Sequence, residues 1–152
     1  MLTRRVFCAL FALSGVLFAG CGSSSGVVPT DYFTTTLLGS QEVPANSAPG
    51  VGTAAVSTVD GKTRVVVDIR GLTGTITGAH IHAGAPGVNG SVVLNLLSGT
   101  GTGTRDTSKA GELHIDFKYD AAVPGLSNKT HYINVHTDFA PSGELRGDLI
   151  KA

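Results

Sequence analysis

Three of the five histidines in this 152-residue chain have the spacing of metal ligands. His80 and His82 lie at i and i+2 in Ala79-His80-Ile81-His82-Ala83. A strand through that run projects both imidazoles from one side, with Cα atoms about 6.5–7 Å apart, close enough to chelate one ion. His136 ends the run Tyr132-Ile133-Asn134-Val135-His136, where alternation puts it with Tyr132 and Asn134 on the face opposite Ile133 and Val135. On neighbouring strands, the three imidazoles would form a site for copper, zinc, nickel or iron with one position left open. The same residues also suit a plainer role, hydrogen-bonding the strand end to the Gly84–Gly90 loop with help from Asn89 and Asn134. Both readings stand on the residues alone. His131, at the start of its strand, reads as a surface residue, and His114 falls on the water-facing side of Glu112-Leu113-His114-Ile115-Asp116-Phe117-Lys118-Tyr119.

Other chemistry is thin, and no catalytic residue is assigned. Glu42, Glu144 and the aspartates are scattered, without the spacing of a carboxylate pair for acid–base work. The serines lie in no nucleophile elbow, and the glycine-rich stretches precede no helix that would cradle phosphate. In Glu144-Leu145-Arg146-Gly147-Asp148-Leu149, the core takes Leu145 and Leu149 and leaves Glu144, Arg146 and Asp148 outside. An exposed Glu144–Arg146 pair would contribute roughly 0–1 kcal/mol.

The elements that must position these residues are strands. No segment keeps a helical period, and β-favouring runs near 32–38, 51–58, 63–69, 75–83, 91–97, 112–119, 131–137 and 144–150 are separated by Gly, Pro, Asn and Asp. Asp60-Gly61 reads as a tight hairpin turn. Ser98–Ala110 has no periodicity and is expected to be a mobile loop. About eight short strands without crossover helices predict an all-β, antiparallel Greek-key sandwich or barrel.

The amino-terminal stretch reads as an address. Arg4 and Arg5, an apolar run from Val6 to Ala19, and then Gly20-Cys21 have the layout of a secretory signal, and the run is too short for a comfortable membrane span. Thr3-Arg4-Arg5-Val6-Phe7 also resembles a twin-arginine export motif. Leu17-Phe18-Ala19-Gly20-Cys21 resembles the bacterial lipobox, which implies cleavage after residue 20 and lipid on Cys21. Residues 21–31, with Gly22-Ser23-Ser24-Ser25-Gly26, are then a tether, and 32–152 the β-domain. With Cys8 cleaved away and Cys21 acylated, no disulfide can form within one mature chain. Loss of Arg4 and Arg5 moves the formal charge from zero to −2, which argues against nucleic acid. The expected setting is the cell envelope, at the outer membrane, periplasm or cell surface, with a membrane as partner through the lipid.

Seven motifs in order carry a resemblance. Leu38-Gly39-Ser40-Gln41-Glu42-Val43-Pro44, Gly52-Thr53-Ala54, Gly71-Leu72-Thr73, Ala79-His80-Ile81-His82, Pro86-Gly87-Val88-Asn89-Gly90, Tyr132-Ile133-Asn134-Val135-His136-Thr137 and Gly143-Glu144-Leu145-Arg146-Gly147 resemble the CHRD domain, the repeated module of chordin. The resemblance implies a β-sandwich or barrel, which in chordin belongs to an extracellular protein that binds growth factors, with Glu42, Asn89, Asn134, Glu144 and Arg146 as motif residues. A second resemblance is to copper–zinc superoxide dismutase, which holds copper on a His-x-His strand and a later strand histidine; His80, His82 and His136 match those positions. The zinc loop, bridging histidine and barrel disulfide of that family have no counterpart here. The expectation is therefore a non-catalytic binding module whose His80, His82 and His136 face takes either an unidentified protein partner or a metal ion, copper or zinc. A small copper redox enzyme and a purely structural or adhesive domain are the alternatives.

Overall fold

The computed structural model describes residues 29, 31–128 and 130–152. Cys21, the lipobox and the tether up to residue 28 lie outside the described residues. Ten strands form in chain order: β1 (Asp31–Leu38), β2 (Val51–Val59), β3 (Lys62–Arg70), β4 (Ile76–Ala83), β5 (Ser91–Asn95), β6 (Gly101–Asp106), β7 (Glu112–Tyr119), β8 (His131–Thr137), β9 (Leu145–Asp148) and β10 (Ile150–Lys151). A single 3-10 turn spans Gly39–Gln41, and among the described residues no helix is long and apolar enough to cross a membrane.

Every pairing is antiparallel, in the order β5-β4-β8-β9-β1-β2-β3-β7-β6, with β10 on β1. The sheet curls into a half-barrel, as the all-β expectation requires. Its two ends are tied where the Tyr119 hydroxyl, on β7, donates to the Leu96 carbonyl just past β5 at 2.6 Å.

Period-2 alternation fills the concave side. Phe33 and Leu37, Ala54 and Val56, Val65, Val67 and Ile69, Leu113, Ile115 and Phe117, Ala79 and Ile81, Ile133 and Val135, and Leu145 form one core. Each fully buried aliphatic side chain contributes roughly 1.5–3 kcal/mol relative to exposure. The Asp60-Gly61 turn forms as expected, with φ of 53° and 70° at its two residues.

Two segments depart from the sequence reading. The expected mobile loop at 98–110 contains β6, which pairs with β7 from Gly101↔Tyr119 to Asp106↔His114. Its Gly-Thr-Gly-Thr pattern offers no apolar period to read, because Gly101 and Gly103 take positive φ, 152° and 133°, which would turn a Cβ into β7. A Cβ on Gly101 would stand 2.1 Å from the Lys118 carbonyl oxygen. Arg105 completes the strand by laying its guanidinium 3.5 Å over Phe117. The expected strand at 144–150 is instead two, β9 on β8 and β10 on β1, broken where the Leu149 amide turns to the His131 carbonyl.

The convex face divides. Along β2, β3 and β7 it meets water. Over β4, β8 and β9 it is covered by the chain at 39–50, 84–90 and 138–144, so β8 is buried on both sides.

Candidate metal centre

His80 and His82 stand on the convex side of β4, and His136 stands on β8, its hydrogen-bonded neighbour. The register sets His80 opposite Asn134, His82 opposite Tyr132 and His136 opposite Gly78. Ring centroids are 5.6 Å apart for His80–His82, 5.1 Å for His80–His136 and 6.3 Å for His82–His136. One nitrogen from each ring falls within 4.8 Å of the other two. Three ligands about 2.0–2.1 Å from one ion are about 3.3–3.6 Å apart in tetrahedral or trigonal geometry, so closure needs each nitrogen to move by up to about 0.7 Å.

Hydrogen bonds fix which nitrogens face inward. The His82 Nδ1–H donates to the Gly90 carbonyl at 2.9 Å, and the His136 Nδ1–H donates to the Pro141 carbonyl at 3.0 Å. Each carbonyl can only accept, so each Nε2 keeps its lone pair. The buried atoms without a partner include His80 Nδ1, His82 Nε2 and His136 Nε2, one from each ring. Carbonyls that hold the outer nitrogen of a ligand imidazole are the usual second layer of a metal site.

Burial pushes the His80 pKa below the ordinary imidazole value, with His136 and His82 adding to it. His82 is lowered by burial, then by His136 and Arg146, against the pull of the Gly90 carbonyl. Both rings are therefore neutral at pH 7, the state that binds metal. His82 is buried, while His80 and His136 are half-buried, which leaves an approach from that side.

Around the rings lies a polar layer that alternation alone assigned to water. Glu144 and Arg146 are fully buried, not outside, and they do not pair with each other. The covering loops account for the correction. Glu144 accepts from the Thr73 amide at 2.6 Å and from the Thr137 hydroxyl at 2.5 Å. Arg146 donates to the Ala85 and Val88 carbonyls, Asn89 Oδ1 and the Asp148 carboxylate. Its guanidinium lies 3.6 Å over the Tyr132 ring, and that ring stacks on His82 at 4.8 Å and 12°. Asn89 also reaches the Val43 carbonyl, tying loop to loop. Glu42 is buried beside Asn134, whose amide reaches it at 3.4 Å, and burial pushes the Glu42 pKa up to about 7 against the pull of Arg146. His131 is buried too, not a surface residue, with its Nε2 on the Pro124 carbonyl. His114 is exposed and meets Asp68 at 2.6 Å.

The sequence reading placed Tyr132 on this face without a role and missed Gly78. Tyr132 stacks between the His82 ring and the Arg146 guanidinium. Gly78 makes room for the rings: a Cβ there would stand 2.9 Å from His80 Cε1 and 3.5 Å from His136 Cδ2. A glycine inside a strand pattern, two residues before His80, was the available signal. A surface cleft of about 750 Å³ lies elsewhere, over Tyr32, Arg64, Asp116 and Lys118. Its charged side chains pair with one another or with Asp60, so it presents no comparable set of free donors.

Fold and site together define an antiparallel β-domain with a covered histidine cluster on its convex face. The chain matches the CHRD domain over residues 33–149 and belongs to that family. No curated protein and no solved structure matches it.

Proposed function

We propose that this CHRD domain is a non-catalytic, metal-binding module of the cell envelope. It takes copper or zinc on His80, His82 and His136 and is tethered to a membrane by lipid on Cys21. The observation that carries the metal reading is the convergence of three imidazoles, one nitrogen of each within 4.8 Å of the others and each ring keeping a buried nitrogen without a partner, while carbonyls hold Nδ1 of His82 and His136. The signal-like leader, lipobox and Gly-Ser tether support the address. The full chain carrying Cys8→Ser and Cys21→Ser, so that no thiol competes, is expected to retain about one equivalent of copper or zinc per chain. His82→Ala should abolish that uptake. Failure to hold either ion after reconstitution would sink the metal reading. Mass spectrometry of the parent chain expressed in a bacterium should find acyl chains on Cys21 and none after Cys21→Ser.

A second reading has its own support: the same two carbonyl bonds tie the 84–90 and 138–144 loops to the sheet, which is what a structural or adhesive domain would need. Under it, His82→Ala lowers the melting temperature and metal addition does not raise that of the parent.

A further inference from the structure

Resting on the metal-binding reading, we propose that the site is built for a monovalent, cuprous ion in preference to zinc. Ligand softness does not decide between them, since imidazole serves both. Charge does. The cluster of candidate ligands is three histidines, with no carboxylate or thiolate among them. A bound ion therefore keeps its full charge in a partly buried place. The groups that hold the His82 and His136 rings from behind are carbonyls, not carboxylates, so they lend the ligands less negative charge.

The nearest fixed cation adds to this. Arg146 is fully buried, 3.6 Å over Tyr132, and Tyr132 stacks on His82. Its carboxylate partner, Asp148 at 3.0 Å, is partly open to water. Two other acids share this covered face. Glu144 is turned to Thr73 and Thr137, and burial works against the charge of Glu42. Coulomb repulsion is proportional to the charge of the ion, so a positive field that a monovalent ion tolerates opposes a divalent one twice as strongly. Three neutral nitrogens also complete the coordination of a cuprous ion, whereas zinc must take a water as its fourth ligand.

The test uses the full chain with Cys8→Ser and Cys21→Ser, without oxygen. Cu(I) is competed against bicinchoninate and Zn(II) against a chromophoric chelator. Cu(I) is expected to bind more tightly by about tenfold or more. Asp148→Asn, an isosteric change at a partly exposed position, leaves Arg146 without its counter-charge. It should widen the Cu(I)-to-Zn(II) ratio by about tenfold, and a similar tenfold shift between copper states would raise the copper potential by about 59 mV. Arg146→Met, if it folds, should narrow the ratio. Zinc bound as tightly as Cu(I), or a ratio unmoved by Asp148→Asn, overturns the proposal. His82-dependent zinc binding without Cu(I) preference would overturn it while leaving the metal-binding reading intact. Binding of neither ion would overturn both.

Discussion

The convex faces of the two halves of this sheet carry similar strand patterns and meet opposite fates. On β2, β3 and β7, residues such as Arg64, Asp68, His114 and Asp116 stand in water and pair across strands. On β4, β8 and β9, His82, Tyr132, Asn134 and Arg146 occupy equivalent alternate positions and are buried. Both halves put their apolar residues on the concave side, so strand period is not the cause. The difference is the covering chain at 39–50, 84–90 and 138–144, whose carbonyls take the donors of His82, His136 and Arg146. A polar residue at an outward position is solvated by water in one half and by backbone in the other. Only the second arrangement gathers three imidazoles with a nitrogen of each within 4.8 Å of the others.

The largest effect expected from that contrast is between two arginines. Arg146→Ala strips the Ala85 and Val88 carbonyls and Asp148 of a donor in a buried place, and should cost about 3–5 kcal/mol. Arg64→Ala removes an ion pair whose partners are about half exposed and should cost less than about 1 kcal/mol. Urea unfolding of both variants measures the gap, and similar losses would show that the covered layer is no different in kind.

Much of the architecture was legible in the residues. Alternation in Glu112–Tyr119 and in Tyr132–His136 placed the core correctly, and the His-x-His spacing with His136 named the three rings that meet. Alternation reports which side of a strand a residue takes, however, not what lies above it. Glu144 and Arg146 were therefore read as solvent-facing, and His131 as a surface residue, because the loops that bury them are far away in the chain. The β6 strand was missed for a different reason: Gly101 and Gly103 take a positive φ that would turn a Cβ into β7, which leaves no hydrophobic period.

Glu42 gives the next largest effect and sharpens the comparison through pH. Its folded pKa, pushed by burial to about 7 from 4.5, lies above the unfolded value. The stability it permits is fully present below pH 4.5 and is lost as pH rises through 7. Glu42→Gln removes the ionisable group, and should make the protein more stable than the parent by about 1–3 kcal/mol at pH 8, with little difference at pH 4. Denaturant midpoints at the two pH values check it; equal differences at both would mean that the carboxyl is not held against its charge.

Gly78→Ala tests whether the rings depend on the space beneath them. The added methyl meets His80 Cε1 at 2.9 Å, so the ring must move. The expected cost is about 1–2 kcal/mol, with metal uptake weakened by about tenfold because a ligand has been re-aimed. Unchanged metal affinity would free the site from that dependence.

The smallest effect separates the halves by sign. Asp68 holds the His114 pKa above the ordinary imidazole value, chiefly by a hydrogen bond. That contribution is present below the unfolded pKa and fades as pH rises through the folded one. Since the pair is exposed, His114→Ala should cost only a few tenths of a kcal/mol at pH 5 and nothing at pH 8. His80 and His82 run the other way. Their folded pKa values lie below the unfolded value, so without metal they favour folding less as pH falls below about 6.5. The metal-free chain with His82→Ala should therefore lose less stability than the parent between pH 7 and 5, while His114→Ala should lose slightly more. If both variants moved in the same direction, covered and solvated histidines would share one electrostatic environment, and the contrast between the two faces would fail.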